Sequence, residues 1–282
     1  TLCTTMAADI GTGSIVGVAT ALRIGGPGSL FWMWISAILG MVTKYSESLL
    51  AVKYRVTDEN NQMAGGPMFY IQNGMGERFI WLAKIFSVFG ICTALFGCGT
   101  FPQVNAITES VNVTFHIPII VAGVIITVLT AVVTIGGIKS ISKVAEIVVP
   151  IMALTFLGGS VVALVINRAA VPDAFKTIFT CAFAKESVIG GTAGTGVITF
   201  MTVMRTGIAR GVYTNEAGLG SSPIVAAAAK TNSGVRQGLL SMTSVFVTTI
   251  LTCSMTGLVI ISSGLMDSSD MNGSTLVTAA YN

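Results

Sequence analysis

Seven apolar runs of near twenty residues constrain this chain more than any other feature. A helix rising about 1.5 Å per residue needs about that many to cross a hydrocarbon core roughly 30 Å thick. The runs cover residues 2–22, 29–52, 79–103, 117–135, 141–166, 174–206 and 239–262. Charged residues make up only 10% of the chain and hydrophobic ones 52%, whereas soluble domains carry about 25% charged residues. The expected fold class is therefore an all-α integral membrane protein, a single transmembrane domain over residues 1–282 embedded in a lipid bilayer. Pro102 is expected to distort or end the third run near its far side. The first run lacks the basic flank of a signal peptide and opens without a methionine, so the chain is expected to start partway into a gene product.

Two of the runs are interrupted. In the first, Ala8-Asp9-Ile10-Gly11-Thr12-Gly13-Ser14-Ile15-Val16-Gly17 places three glycines within seven residues. In the sixth, Gly190-Gly191-Thr192-Ala193-Gly194-Thr195-Gly196 places four glycines within seven residues around a second Gly-Thr-Gly. Unsatisfied peptide groups cost several kcal/mol each in hydrocarbon, so broken helices persist only where protein, ligand or water supplies the missing partners. A lone Gly-Thr-Gly is more often a place of close helix packing than a site. Two such breaks at matching places in two halves point to the binding site of a carrier built from two repeats. Asp9 is the sharpest single residue there, because an ionisable group inside a span is a functional candidate. The alternative is that Asp9 sits nearer the inner interface.

Fifteen lysines and arginines set the expected orientation. With the chain starting on the cytoplasmic side, inner segments hold Lys53, Arg55, Arg78, Lys139, Lys143, Arg205, Arg210, Lys230 and Arg236, while outer ones hold Arg23, Arg168 and Lys176. Lys44 and Glu47, three apart on one helix face, are most simply a pair near the inner end of the second span. The net charge of +3 carries no nucleic-acid meaning, since the basic residues sort by membrane side rather than cluster. Cysteines 3, 92, 98, 181 and 253 have no metal-type spacing and read as small buried hydrophobes.

Two inner loops have character of their own. Gly65-Gly66-Pro67 opens a short amphipathic stretch, Met68 to Gly76, suited to the inner interface. Ser222 before Pro223 signals the cap and first residue of a short helix reaching Lys230. Ahead of it, Tyr213-Thr214-Asn215-Glu216-Ala217-Gly218-Leu219-Gly220 concentrates polar side chains and glycines. Asn215 and Glu216, with Asp9, are the gating or proton candidates, an ordinary connector being the other reading. His116 falls in an outer loop and takes no role. The aromatic and methionine residues from Phe31 to Met41 read as packing or lipid-facing surface. No Walker lysine, metal-binding histidine set or Gly-x-Ser-x-Gly elbow is present, so no enzyme is expected and no cofactor.

Gly11-Thr12-Gly13, Gly17-Val18-Ala19, Gly25-Gly26-Pro27-Gly28, Phe31-Trp32-Met33-Trp34, Leu50-Ala51-Val52-Lys53-Tyr54-Arg55, Gly65-Gly66-Pro67-Met68 and Asn215-Glu216-Ala217-Gly218-Leu219-Gly220 appear in this order. In this they resemble the alanine or glycine:cation symporter family. The resemblance implies a sodium-coupled carrier of small neutral amino acids in a bacterial plasma membrane, with a LeuT-type inverted-repeat core. By that alignment the chain begins near the first core helix, stops after the seventh and lacks the eighth, with which a sodium site is normally shared. It also places a polar pocket residue near Gln103. The family usually has Asn where this chain has Ser14 and a neutral residue where it has Asp9. A shorter Ser14 leaves room, and a charged Asp9 binds a cation, takes up a proton or faces water near the inner mouth.

An amino-acid zwitterion needs donors for its carboxylate and acceptors for its ammonium, and half-helix ends supply both. The amides near Gly11, Thr12 and Gly13 form the natural carboxylate cradle, with Ser14 beside them. Carbonyls around Ala7 and Ile10, with the Thr12 hydroxyl, suit sodium. Gly191, Thr192, Gly194 and Thr195 complete the pocket from the opposite side. A passive channel or uniporter, which glycine-interrupted helices also line, and a non-transporting fragment remain open.

Overall fold

The computed structural model describes residues 6, 9–57, 59, 63–97, 99–184, 186–188, 197–267, 271 and 273–282. Helices dominate these residues. Helix α1 spans Thr12–Gly25 and α2 spans Ser29–Lys53. Between them Gly26 takes φ 72° and donates its amide to Leu22, ending α1 in the left-handed conformation that glycine adopts without strain. At the far end of α2 a two-stranded antiparallel ribbon, β1 (Val56–Thr57) and β2 (Met63–Ala64), leads through Gly66 at φ 127° into α3 (Pro67–Met75).

A 3-10 turn at Glu77–Phe79 precedes α4 (Ile80–Leu95), and α5 covers Thr100–Phe115. Pro102 therefore does not close the third apolar run. It sits in the first turn of a new helix, where a missing amide costs little because the first donors of a helix have no intrahelical acceptor. Helices α6 (Ile119–Ile135) and α7 (Gly137–Ile166) follow. Both turn large apolar residues outward, among them Ile120, Leu129, Ile135, Leu154 and Ile166. Continuous apolar exposure of this kind fits hydrocarbon and not water.

The sixth apolar run is interrupted. Helix α8 (Val171–Phe183) ends before β3 (Glu186–Val188), which pairs antiparallel with β4 (Val197–Thr199), and α9 (Phe200–Asn215) starts beyond it. The second glycine cluster, 190–196, lies outside the described residues. Helix α9 runs past the expected end of this run and carries Arg205 and Arg210. Thr199 caps α9, its hydroxyl accepting the Thr202 amide.

The short α10 (Ser221–Ala227) is capped by Gly220 in the left-handed region, so Ser222 is its second residue and not its cap. Arg55 fixes the end of α10 to α2, donating to the carbonyls of Ala227, Ala229 and Thr231 at 3.0, 2.7 and 2.6 Å. The last long rod comprises α11 (Gly234–Val245), a π-helical stretch (Phe246–Cys253) and α12 (Ser254–Ser262). The tail forms α13 (Gly273–Tyr281), whose Leu276 and Ala280 join the main core with Val18, Leu22, Leu30, Ile178 and Val259.

Among the described residues, four helical stretches are long and apolar enough to cross a membrane: Ser29–Lys53, Glu77–Phe115, Ser140–Ile166 and Gly234–Ser262. Helix α2 is the central one. On one side it meets α9 through small residues: a Cβ on Gly207 would stand 2.4 Å from the Ser29 carbonyl oxygen, and one on Gly211 2.7 Å from Ser36 Oγ. Such spacing lets backbones approach closely in a bundle that gains little from hydrophobic association. On the other side Ser48 and Ser241 share a 2.8 Å hydrogen bond between α2 and α11. Phe31 and Trp32 stack edge-to-face and in tilted contacts with Phe179, Phe183 and Phe200. Trp32 Nε1 donates to the Ala182 carbonyl at 3.1 Å, so this aromatic stretch serves packing.

Candidate functional site

The break in the first apolar run is narrower than its three glycines suggest. Ile10 donates its amide to the Met6 carbonyl at 2.7 Å, closing a helical turn. Gly11 is extended, with φ −145° and ψ −165°, and α1 resumes at Thr12. Gly13 and Gly17 are helical. Gly13 admits a close neighbour, since a Cβ there would meet the Tyr213 ring at 3.3 Å and the Thr214 methyl at 3.9 Å. A Cβ on Gly11 would lie 3.8 Å from Gln103 Nε2, which brings α5 to the break. The start of α1, with its unpaired first amides and partial positive charge, thus lies beside a primary amide and a tyrosine ring.

Below the break sits a buried charge network. Asp9 is 3% exposed and Lys44 not at all. Lys44 Nζ donates to Asp9 Oδ1 at 2.5 Å and to the Asn215 carbonyl at 2.8 Å. Asp9 Oδ2 accepts from Ser244 Oγ. Four elements converge: the half-turn before the break, α2, the end of α9 and α11. Lys44 is therefore paired with Asp9 and not with Glu47, because Glu47 points to the loop after α9 and accepts the Gly218 amide at 3.2 Å. Burial also removes the reading in which Asp9 faces water at the inner mouth.

Ser14 serves the break directly. Its hydroxyl donates to the Asp9 carbonyl at 3.0 Å, one of the groups the interruption frees, and the Thr256 hydroxyl donates to the Ser14 carbonyl at 3.3 Å. The π-helical stretch opposite carries buried Thr248, Thr249 and Thr252. Among the described residues, Thr249 Oγ1 and Asn215 Nδ2 are buried without a partner. Asn215 is otherwise engaged, its Oδ1 accepting the Ala217 amide at 3.0 Å. Glu216, in the left-handed region at φ 54°, accepts from Ser221 Oγ at 2.8 Å. Burial pushes its carboxyl above the ordinary glutamate value; the Ser221 hydrogen bond opposes that, Asp9 adds to it, and Lys44 opposes it.

Of the residues singled out in sequence, the structure gathers Asp9, Ile10, Gly11, Thr12, Gly13, Ser14 and Gln103 around the break, and Asn215 joins through the Lys44 contact. Glu216 stands one residue further on, tied to α10. Ala7, Gly191, Thr192, Gly194 and Thr195 lie outside the described residues. Sequence reasoning missed Lys44, Ser244, Tyr213 and Thr256 as members of the site. For Lys44 the nearer carboxylate, Glu47 in the same apolar run, hid the pairing with Asp9.

The chain matches the sodium:alanine symporter family over residues 1–282. It is 50% identical over 280 residues to an uncharacterized transporter of Haemophilus influenzae, covering 99% of this chain and 60% of that protein. It is 43% identical over 285 residues to the sodium/alanine symporter AgcS of Methanococcus maripaludis, with 99% and 61% covered. It is 33% identical over 279 residues to the probable sodium/glutamine symporter GlnT of Bacillus subtilis, with 99% and 56% covered. The chain thus spans about three-fifths of the length of these relatives. The family is one of transporters and not of enzymes, and its several apolar helices make this chain a multi-pass membrane protein. On the full-length match, the chain belongs to the sodium:alanine symporter family.

Proposed function

We propose that this chain carries the first part of a LeuT-type inverted-repeat bundle that moves a small neutral amino acid together with sodium by alternating access. The observation that carries the reading is the break at Ile10 and Gly11, which brings Gln103 and Tyr213 next to the start of α1. The amides of Gly11, Thr12 and Gly13, beside Ser14, receive the substrate carboxylate. Gln103 offers a polar partner from α5, and Gly191, Thr192, Gly194 and Thr195 close the pocket from the interruption between α8 and α9. Sodium takes the carbonyls around Ala7 and Ile10 with the Thr12 hydroxyl. Alanine or glycine is the proposed substrate; the name of AgcS favours alanine, and the name of GlnT suggests glutamine as the alternative.

The protein resides in the bacterial plasma membrane with the start of this chain cytoplasmic. Lys53, Arg55, Arg78, Lys139, Lys143, Arg205, Arg210, Lys230 and Arg236 on the inner side outweigh Arg23, Arg168 and Lys176 on the outer. One elementary charge moving through about 100 mV carries roughly 2.3 kcal/mol, before any concentration gradient is added. The test is uptake of labelled alanine and glycine into proteoliposomes holding the complete gene product, under an inward sodium gradient, a proton gradient or neither. Concentrative uptake that requires sodium supports the reading. Equal uptake under all three conditions marks a channel or uniporter and overturns it. Uptake driven by protons alone overturns sodium coupling.

A further inference from the structure

The surroundings of Lys44 are those of a bound cation. Its ammonium rests on a carboxylate oxygen of Asp9 and on the carbonyl of Asn215, while Ser244 holds the second oxygen of the same carboxylate. Carboxylate, carbonyl and hydroxyl oxygens are the donors that hard metal cations select. All four residues are at most 3% exposed. Asn215 Nδ2 is buried without a partner among the described residues, so the corner is polar beyond what the ion pair uses.

A buried ion pair joining two helices is stable only when its remaining polar atoms are satisfied as well. Here the carboxylate is oriented by a third helix and the ammonium is shared with the end of a fourth, which is the construction of a coordination shell. We propose that Asp9, Asn215 and Ser244 form a cage for a monovalent cation that Lys44 fills with its own tethered ammonium, so that Lys44 decides whether a free ion enters the bundle below the break. A monovalent ion preserves the charge balance that Lys44 sets. The inference is independent of sodium at the carbonyls of Ala7 and Ile10 and of coupled transport, because it concerns the difference between two forms of one protein.

The test uses the complete gene product purified in detergent as wild type, Lys44→Met and Asp9→Asn/Lys44→Met. Equilibrium binding of radioactive sodium is measured, with thermal unfolding in sodium chloride and in choline chloride. Lys44→Met is expected to bind one sodium per chain more than wild type and to gain more thermal stability from sodium, as mass action requires of a ligand that binds only the folded state. The double variant is expected to return to the wild-type stoichiometry. Recovery of folded Lys44→Met only when it is extracted in sodium supports the cage equally. Equal stoichiometry in Lys44→Met and wild type overturns it, as does an extra sodium that persists in the double variant. Loss of Lys44→Met in every salt while the double variant folds also overturns it.

Discussion

The ammonium of Lys44 and the carboxylate of Asp9 stand 2.5 Å apart, 35 residues distant in sequence, with both side chains wholly removed from solvent. Desolvating two such groups costs several kcal/mol each, and their attraction offsets this only when the geometry is good and the remaining polar atoms are satisfied. Ser244 and the Asn215 carbonyl supply that satisfaction. The pair therefore joins the break to α2 and, through Ser244, to the last rod.

Removing one member leaves an uncompensated buried charge. Asp9→Leu and Lys44→Met, measured singly in choline, are each expected to lower unfolding stability by about 3–5 kcal/mol. The double replacement should cost well under the sum of the two. Additive losses in a double-mutant cycle would show that the pair is not coupled.

The contact of α9 with α2 leaves no room for a methyl group. A Cβ on Gly207 would stand 2.4 Å from the Ser29 carbonyl oxygen and 2.6 Å from Trp32 Cβ. Gly207→Ala is expected to cost about 1–3 kcal/mol through forced backbone separation. Gly90→Ala, whose Cβ meets no described atom within 4 Å, should be neutral or slightly stabilising. Thermal unfolding of the two variants side by side decides this, and equal midpoints would refute the packing account.

Gly11 needs no left-handed backbone, and a Cβ there makes only ordinary contact with Gln103 at 3.8 Å. Gly11→Ala should therefore fold as wild type does yet crowd the substrate position. The expected result is an increase of about tenfold in the KM for alanine uptake, equivalent to about 1.4 kcal/mol, with no change in unfolding midpoint. An unchanged KM would place the substrate elsewhere.

Glu216 supplies a pH dependence with a definite sign. Its folded value lies above its ordinary one, chiefly through burial. Its contribution to stability is thus full below the ordinary glutamate value and lost as pH rises through the higher folded value. Glu216→Gln keeps an oxygen for the Ser221 hydroxyl and carries no charge. The variant should match wild type in acid and become progressively more stable than wild type as pH rises to 8, read from unfolding midpoints. A difference constant across that range would show that the carboxyl does not titrate as described.

Much of the architecture was legible because apolar length and glycine placement are local properties. Leu2 to Leu22 broken at Gly11, and a run broken between Phe183 and Phe200, announce themselves in the sequence. Helix boundaries were less so: Pro102 looks like a terminator but is equally at home in a first turn, and only tertiary context chose. Lys44 was assigned to Glu47 because they lie three apart on one helix, yet Glu47 is drawn to the Gly218 amide. Long-range pairing such as Asp9 with Lys44, or Ser14 with Thr256, depends on how helices dock and leaves no local pattern. The tail helix α13, which buries Leu276 against the main core, was hidden by a short and weakly apolar sequence.

The central claim, that the break at Gly11 receives an amino acid together with sodium, is tested most directly by equilibrium binding of labelled alanine to the purified complete protein in sodium chloride and in choline chloride. The account predicts saturable binding in sodium that is weakened at least tenfold in choline. Equal binding in the two salts, or none in either, would contradict it.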